Sequence, residues 1–345
     1  MSYPVFPSHH PSTRLAQYTG MSVNYPTKIK NPQPWFRRNL YLLFFALFLL
    51  VLGLGLGLGL GLGLNSSDNS GDANQTATPT PTTTPLDGGG VGTGNATIWQ
   101  PAVGSTWQII LLDALSPSIL NALGRTWSNT SIFDIDLFAN PTSTFAALHG
   151  ANKKVICYFS AGSYEPGRPD SGEFSKSEMG FELDQWPGEY WLNTSSTNVR
   201  SIMLARLDLA KTKGCDGVDP DNVDGYDNKN GLGLSTETSI SYVSFLADAA
   251  HSRGLSIGLK NAGAIVSQVV GKLQWEVNEQ CVQYDECAQF QPFIDDEKPV
   301  FGIEYPSSAP TVSSKTKTEI CLNKDSQGFS TILKEMDLGE WVDAC

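Results

Sequence analysis

From residue 107 to residue 333 the chain alternates short apolar runs with longer segments whose apolar positions recur every three or four residues. Eight short runs stand out, at 107–112, 132–137, 155–159, 217–218, 255–259, 273–277, 300–303 and 328–333. Runs that are apolar without alternation predict strands covered on both faces, as in a parallel sheet. Amphipathic helices fall between several of them. In 198–213 (NVRSIMLARLDLAKTK), Val199, Ile202, Met203, Leu207 and Ala210 share one face, and Gly214 supplies the stop. Segment 238–253 (TSISYVSFLADAAHSR) repeats the pattern ahead of Gly254. The region 99–345 holds 247 residues, which matches the roughly 250 of a (β/α)8 TIM barrel. That α/β barrel is the predicted fold class, ahead of an open sheet.

Residues 40–64 break the pattern. LYLLFFALFLLVLGLGLGLGLGLGL is 25 residues without a charge, long enough to cross a bilayer as a helix. A signal peptide is the first competing reading, but its apolar part runs only about 7–15 residues and ends in a small-residue cleavage site. A flexible Leu-Gly tract is the second, since Gly disfavours helix by about 1 kcal/mol per position. Unsatisfied backbone in lipid is costlier still, so the run is expected to be a single transmembrane helix. Residues 1–39 carry Arg14, Lys28, Lys30, Arg37 and Arg38 and no acid, and the next basic residue after the span is Arg125. Positive charge stays inside, so 1–39 is expected to be a cytosolic tail and the remainder to lie outside the cell, in a type II arrangement. Five Asn-x-Ser/Thr triplets, at Asn65, Asn74, Asn95, Asn129 and Asn193, all follow the span. Residues 65–98 are dominated by Ser, Thr, Pro and Gly, a composition expected of a disordered stalk and open to cleavage that would release the domain.

Charge sharpens the division. Beyond residue 39 there are 18 basic side chains against 35 acidic, a net of −17. Such a surface excludes nucleic acid as a partner and suits a cationic substrate or simple solubility. The six cysteines, Cys157, Cys215, Cys281, Cys287, Cys321 and Cys345, are even in number and all lie beyond the span, so disulfides are expected. Local spacing suggests Cys281–Cys287, closure of the C-terminal tail suggests Cys321–Cys345, and Cys157–Cys215 remains, one of fifteen connectivities. Zinc is disfavoured because no Cys-x2-Cys pair occurs and His9, His10, His149 and His251 stand apart from the thiols. No metal and no cofactor is expected, and the domain is expected to be a monomer.

The candidate chemistry lies where apolar runs end in acids. Residues 216–224 (DGVDPDNVD) carry Asp216, Asp219, Asp221 and Asp224. A calcium loop does not fit, because Pro220 and the spacing depart from the EF-hand pattern; a surface acidic turn does fit. A second cluster, 276–281 (EVNEQC), puts Glu276 or Glu279 at the same rim of a barrel. Two carboxylates flanking one bond are what glycoside hydrolysis requires. Lys260 and Asn261 end the run between them, and Tyr158 closes an earlier one. Trp186, Tyr190 and Trp191 occupy the long connection 161–198, where an exposed ring could stack on a sugar or pack the loop.

These segments resemble glycoside hydrolase family 114, the endo-α-1,4-polygalactosaminidases. The marks are WQIILLD (107–113), VICYFSAGSYE (155–165), WPGEYWLN (186–193), GCDGVDPDNVDGY (214–226), GLKNAG (258–263) and EVNEQCVQYDEC (276–287). The resemblance spans about 99–340 and implies an endo-acting hydrolase of α-1,4-linked galactosamine polymers such as galactosaminogalactan. It implies Asp221 and Glu279 as the catalytic carboxylates, with Glu276 the rival of Glu279 because the strand's register is hidden. Asp219, Asn222, Asp224, Lys260, Asn261, Tyr158, Glu276 and Trp186 are the expected substrate-binding or tuning residues. A non-catalytic polysaccharide-binding barrel and a hydrolase of another α-galactoside remain alternatives. Retention or inversion depends on carboxylate separation, which sequence does not carry.

Overall fold

The structure is a computed structural model that describes residues 98–345. The expected cytosolic tail 1–39, membrane helix 40–64 and stalk up to residue 97 lie outside the described residues, and among those described no helix is long and apolar enough to cross a membrane.

All eight apolar runs are strands. They are β1 (Trp107–Ile110), β2 (Ile132–Asp136), β3 (Lys154–Ser160), β4 (Gly217–Asp221), β5 (Ser256–Lys260), β6 (Trp275–Glu279), β7 (Val300–Glu304) and β8 (Ser330–Leu333). Each pairs in parallel with the next, in sequence order. The fourth run was expected to be two residues long, yet β4 continues through Pro220 to Asp221. Its acids look like a turn in sequence, but they extend the ladder opposite Tyr158, Phe159 and Ser160 of β3.

Helices cover the outside. They are α1 (Pro117–Ala122), α2 (Thr142–Gly150), α3 (Thr197–Lys213), α4 (Thr236–Ser252) and the shorter α5 (Val266–Val269), α6 (Cys281–Tyr284), α7 (Gln291–Asp295) and α8 (Ser314–Cys321). Helix α3 starts where Ser196 caps the amides of Asn198 and Val199, and it stops at Gly214, whose φ of 94° is open to glycine. Helix α4 begins two residues before its predicted start because Ser235 and Thr238 form a capping box.

Two apolar layers hold the barrel. Outside the strands, the buried face of α3 and α4, including Val199, Met203, Leu207, Tyr242 and Leu246, packs on Val155, Phe159, Val218 and Leu259. Inside, Trp107, Ile109, Ile132, Ile156, Trp275, Val277, Phe301 and Ile303 fill the lower half. The fully buried Trp275 ring needs Gly217 and Gly258 beneath it: a Cβ on Gly258 would stand 2.0 Å from its Nε1. Trp99 closes the floor against it, with ring centroids 5.7 Å apart.

The ring is completed without a β8–β1 ladder. After β8 the chain reverses, and Asp343–Ala344 pairs antiparallel with Leu333 and Ile332. The intervening strap bridges to β1: the amide of Leu111 donates to Leu338 O at 3.0 Å, and Gln108 Nε2 donates to Glu340 O at 3.0 Å. Cys321–Cys345 locks the strap's end to α8, Cys157–Cys215 joins β3 to the residue leading into β4, and Cys281–Cys287 encloses α6. The three pairings are those expected: Cys281–Cys287 from spacing, Cys321–Cys345 from closure of the tail and Cys157–Cys215 as the remainder. The connection 161–198, read only as a long loop, contains a small antiparallel sheet of Ser163–Tyr164, Tyr190–Leu192 and Met179–Glu182.

Candidate active site

Three neighbouring strands end in charge: β4 in Asp221, β5 in Lys260 and β6 in Glu279. Strand periodicity explains why all three face inward. Each lies two residues beyond Pro220's predecessor Asp219, Gly258 or Val277, which share the inner face. The same rule separates the rival acids. Glu276 sits between the inward Trp275 and Val277, so it points outward and is fully buried under the helices, while Glu279 points into the barrel mouth.

Lys260 is almost wholly buried and stands between the two carboxylates. Its Nζ is 3.2 Å from Asp221 Oδ1 and 3.1 Å from Glu279 Oε2. Burial alone would lower its pKa, but the charges of Asp221 and Glu279 outweigh that and hold it well above the ordinary lysine value. Each carboxylate also has fixed donors. Tyr158 Oη donates to Asp221 Oδ2 at 2.9 Å, and the amide of Asn222 donates to Asp221 Oδ1 at 2.8 Å. Tyr305 Oη donates to Glu279 Oε1 at 2.5 Å, and Asn261 Nδ2 donates to Glu279 Oε2 at 3.1 Å. Burial pushes Glu279 up, yet Lys260, Tyr305 and Asn261 together bring it below the ordinary glutamate value.

The chain leaves each of these strands through a left-handed non-glycine residue: Asn222 (φ 60°), Asn261 (φ 52°) and Gln280 (φ 62°). Such backbone costs on the order of 1 kcal/mol per residue and persists where surrounding contacts impose it. Asn222 is held by its Nδ2 donating to Ser160 Oγ at 2.9 Å, and Gly162 allows its backbone to approach. A Cβ on Gly162 would lie 1.7 Å from Asn222 O. Asn261 is held by the amide of Glu279, which donates to its Oδ1 at 2.9 Å.

The other predicted residues scatter. Asp219, expected to bind substrate or tune the acids, is fully buried below Asp221, which leaves it no surface to offer a substrate. Glu276 is likewise enclosed, with neither oxygen hydrogen-bonded, and burial holds it well above the usual carboxylate range. Asp224 follows β4, and burial followed by the charge of Asp221 pushes it up to about 6. Trp186 is 57 % exposed on the loop joining two strands of the small sheet. Asp216 lies at the opposite end of β4, bound by Lys154 at 2.6 Å and His149 at 2.9 Å.

Sequence reading missed several neighbours. Tyr305 follows β7 directly after Glu304, and nothing in its local sequence marked it. Glu189 is raised to about 7 by burial and then by Glu165, and it accepts from Ser163 Oγ at 3.3 Å. Asp136 of β2 and Glu165 share Arg168, at 2.6 and 2.7 Å. The alternation of Asp134 and Asp136 in an otherwise apolar strand was the available signal. Among the described residues, no group of three or more His, Cys, Asp or Glu is placed to hold a metal ion.

Comparison with known proteins agrees with this geometry. A family model described as glycoside-hydrolase family GH114 matches residues 91–345. Among solved structures, Aspergillus fumigatus Ega3 in complex with galactosamine is 56% identical, with a TM-score of 0.67, covering 72% of this chain and 97% of that one. The glycoside hydrolase domain of PelA from Pseudomonas aeruginosa shares the fold at 12% identity and a TM-score of 0.55, over 70% of this chain and 98% of that one. No curated protein matches. With three quarters of its length matched by the family model, the chain belongs to glycoside-hydrolase family GH114 and is a glycoside hydrolase.

Proposed function

We propose that this enzyme cleaves α-1,4-linked galactosamine polymers internally, with Asp221 and Glu279 as its catalytic carboxylates. The observation that carries the reading is their shared ammonium. Oxygens 3.2 and 3.1 Å from one Nζ are no farther apart than the sum of those distances. That is shorter than the roughly 6.5–9.5 Å of an inverting pair and leaves room for the roughly 5–5.5 Å of a retaining one. The reaction then retains configuration. Asp221, fixed by donors on both oxygens, attacks the anomeric carbon while Glu279 protonates the departing sugar oxygen; Glu279 then deprotonates the water that releases the glycosyl ester. Lys260 suits the second step. Once Asp221 is esterified, the ammonium acts on Glu279 alone and favours its role as base.

The substrate reading is supported by the galactosamine bound to the 56% identical Ega3 and by the net −17 beyond residue 39, which favours a polycationic sugar chain. The exposed Trp186 offers a ring for a sugar face. Three disulfides and the apolar run 40–64 support a catalytic domain held outside the cell on a stalk, as a type II membrane protein that cleavage in the stalk could release.

The test is hydrolysis of a de-N-acetylated galactosaminogalactan by wild type, Asp221→Asn and Glu279→Gln. Both variants are expected to lose activity by at least about 1000-fold with melting temperature kept. Turnover near wild type in either overturns the pair, and an initial β-anomeric product in the wild-type reaction overturns retention.

A further inference from the structure

Below the reacting groups lies a pair of acids that the reaction described above does not use. Asp134 follows the inward Ile132 on β2, and Asp219 follows the inward Gly217 on β4, so both enter the barrel from opposite sides of β3. Both are 0% exposed. None of their four carboxyl oxygens receives a hydrogen bond from any conventional donor. They reach the same interior space from the two strands that flank β3, close enough for each carboxyl group to act on the other. Two carboxylates in a dry interior cannot come that close unless a proton sits between them, because two bare charges would repel with nothing to compensate.

The groups facing Asp219 define what this pair can do. They are Asp134 from β2, Asp221 on its own strand, Lys260 from β5 and Glu279 from β6, while Glu276, on the outer face of β6, feels Asp219 only through space. Tyr158 is its register partner on β3. Lys260 alone is cationic. Asp219 acts on Lys260 through space, beyond the 4.0 Å of an ion pair, as the third of its carboxylate neighbours after Asp221 and Glu279.

We infer that Asp134 and Asp219 are positioning residues that share one proton and place a single negative charge beneath Lys260. That charge keeps the ammonium seated between Asp221 and Glu279 when Asp221 loses its own charge in the glycosyl ester. The two acids are not equivalent. Asp219 is on the strand next to Lys260 and carries the charge; Asp134, two strands farther round, carries the proton. Burial raises Asp134 well above the carboxylate range, while Asp219 stands at about 7, lifted by burial and restrained by Lys260. The inference rests on Asp221 and Glu279 being the reacting pair.

The experiment is steady-state kinetics against pH for the full chain carrying Asp134→Asn or Asp219→Asn, with a galactosamine oligosaccharide as substrate. Asp134→Asn is expected to keep kcat within about threefold, because its amide N–H replaces the shared proton and Asp219 stays charged. Asp219→Asn is expected to lower kcat by about tenfold or more with KM unchanged. Its acid limb is also expected to move to higher pH, since the remaining acid is farther from Lys260 and harder to ionise. A purely structural pair would give equal effects for the two isosteric changes and no movement of the limb, and that result overturns the inference. Infrared spectroscopy supplies a readout independent of activity. A protonated-carboxyl band is expected in the difference between the wild-type and Asp134→Asn spectra at pH 7, over the band that Glu276 and Glu304 leave in both; its absence from that difference also overturns the inference. Activity remaining in Asp221→Asn would instead remove the reading on which the inference stands.

Discussion

Lys260 is the residue on which the site's electrostatics turn. Its single charge separates two carboxylates that otherwise repel, and its burial makes that interaction strong. Lys260→Met keeps the length of the side chain and removes the charge. We expect kcat to fall by about 100-fold or more. Because Lys260 is the chief lowering influence on Glu279, the pH profile should also move upward as Glu279 rises; an unmoved profile in a folded variant contradicts that role. Sequence placed Lys260 between two acidic strand ends but could not say which acids it would touch. Glu276 and Glu279 are three residues apart and so face opposite sides. On a strand buried on both faces, apolar neighbours do not reveal which side is inside, and only the position of Trp275 and Val277 settled it.

At the scale of elements, the rim is shaped by strand ends that turn through left-handed residues and by close backbone approach. Gly162→Ala places a Cβ 1.7 Å from Asn222 O, so the turn after β4 must shift. We expect a loss of about 1–3 kcal/mol in stability, measured by denaturant unfolding. The loss of kcat should be larger than that loss implies, because the Asn222 amide also holds Asp221. The C-terminal strap is the second vulnerable element. It stands where a β8–β1 ladder would be, and Cys321–Cys345 closes a sequence separation of 24. Cys345→Ser is expected to cost about 3 kcal/mol in the folding free energy, with hydrogen exchange rising first at the amides of Leu111 and Leu112 on the seam. Protection unchanged there would show that the seam holds without the disulfide. The small sheet at 163–192 was illegible for a simple reason: its strands are two to four residues long, too short for any period to show.

Over the whole molecule, the described domain stores carboxyl groups whose pKa is raised by burial. Glu304 and Asp219 stand at about 7 and Asp224 at about 6. A carboxyl raised on folding binds more protons in the native state, so its contribution is present below its unfolded value of about 4 and is lost as pH rises through the folded value. Lys334 is lowered to about 7 by burial; below that pH it is protonated folded and unfolded alike, so it adds no slope there. The melting temperature is therefore expected to fall between about pH 4.5 and pH 7, and a flat or rising curve over that window contradicts the raised carboxyls. Read as a whole, the chain's local signals were sufficient for eight parallel strands, the long helices α3 and α4 and the Cys281–Cys287 disulfide, because hydrophobic period, caps and close cysteine spacing act over short distances, whereas Cys157–Cys215, 58 residues apart, was reached only as the remaining pair. They also marked the two acidic strand ends. The inward turn of Glu279, the Tyr305 contact, the burial of Asp219 against Asp134 and the strap across the seam came only from the tertiary structure. Each depends on which residues meet across the barrel, and that is set by strand register and closure, not by neighbours in sequence.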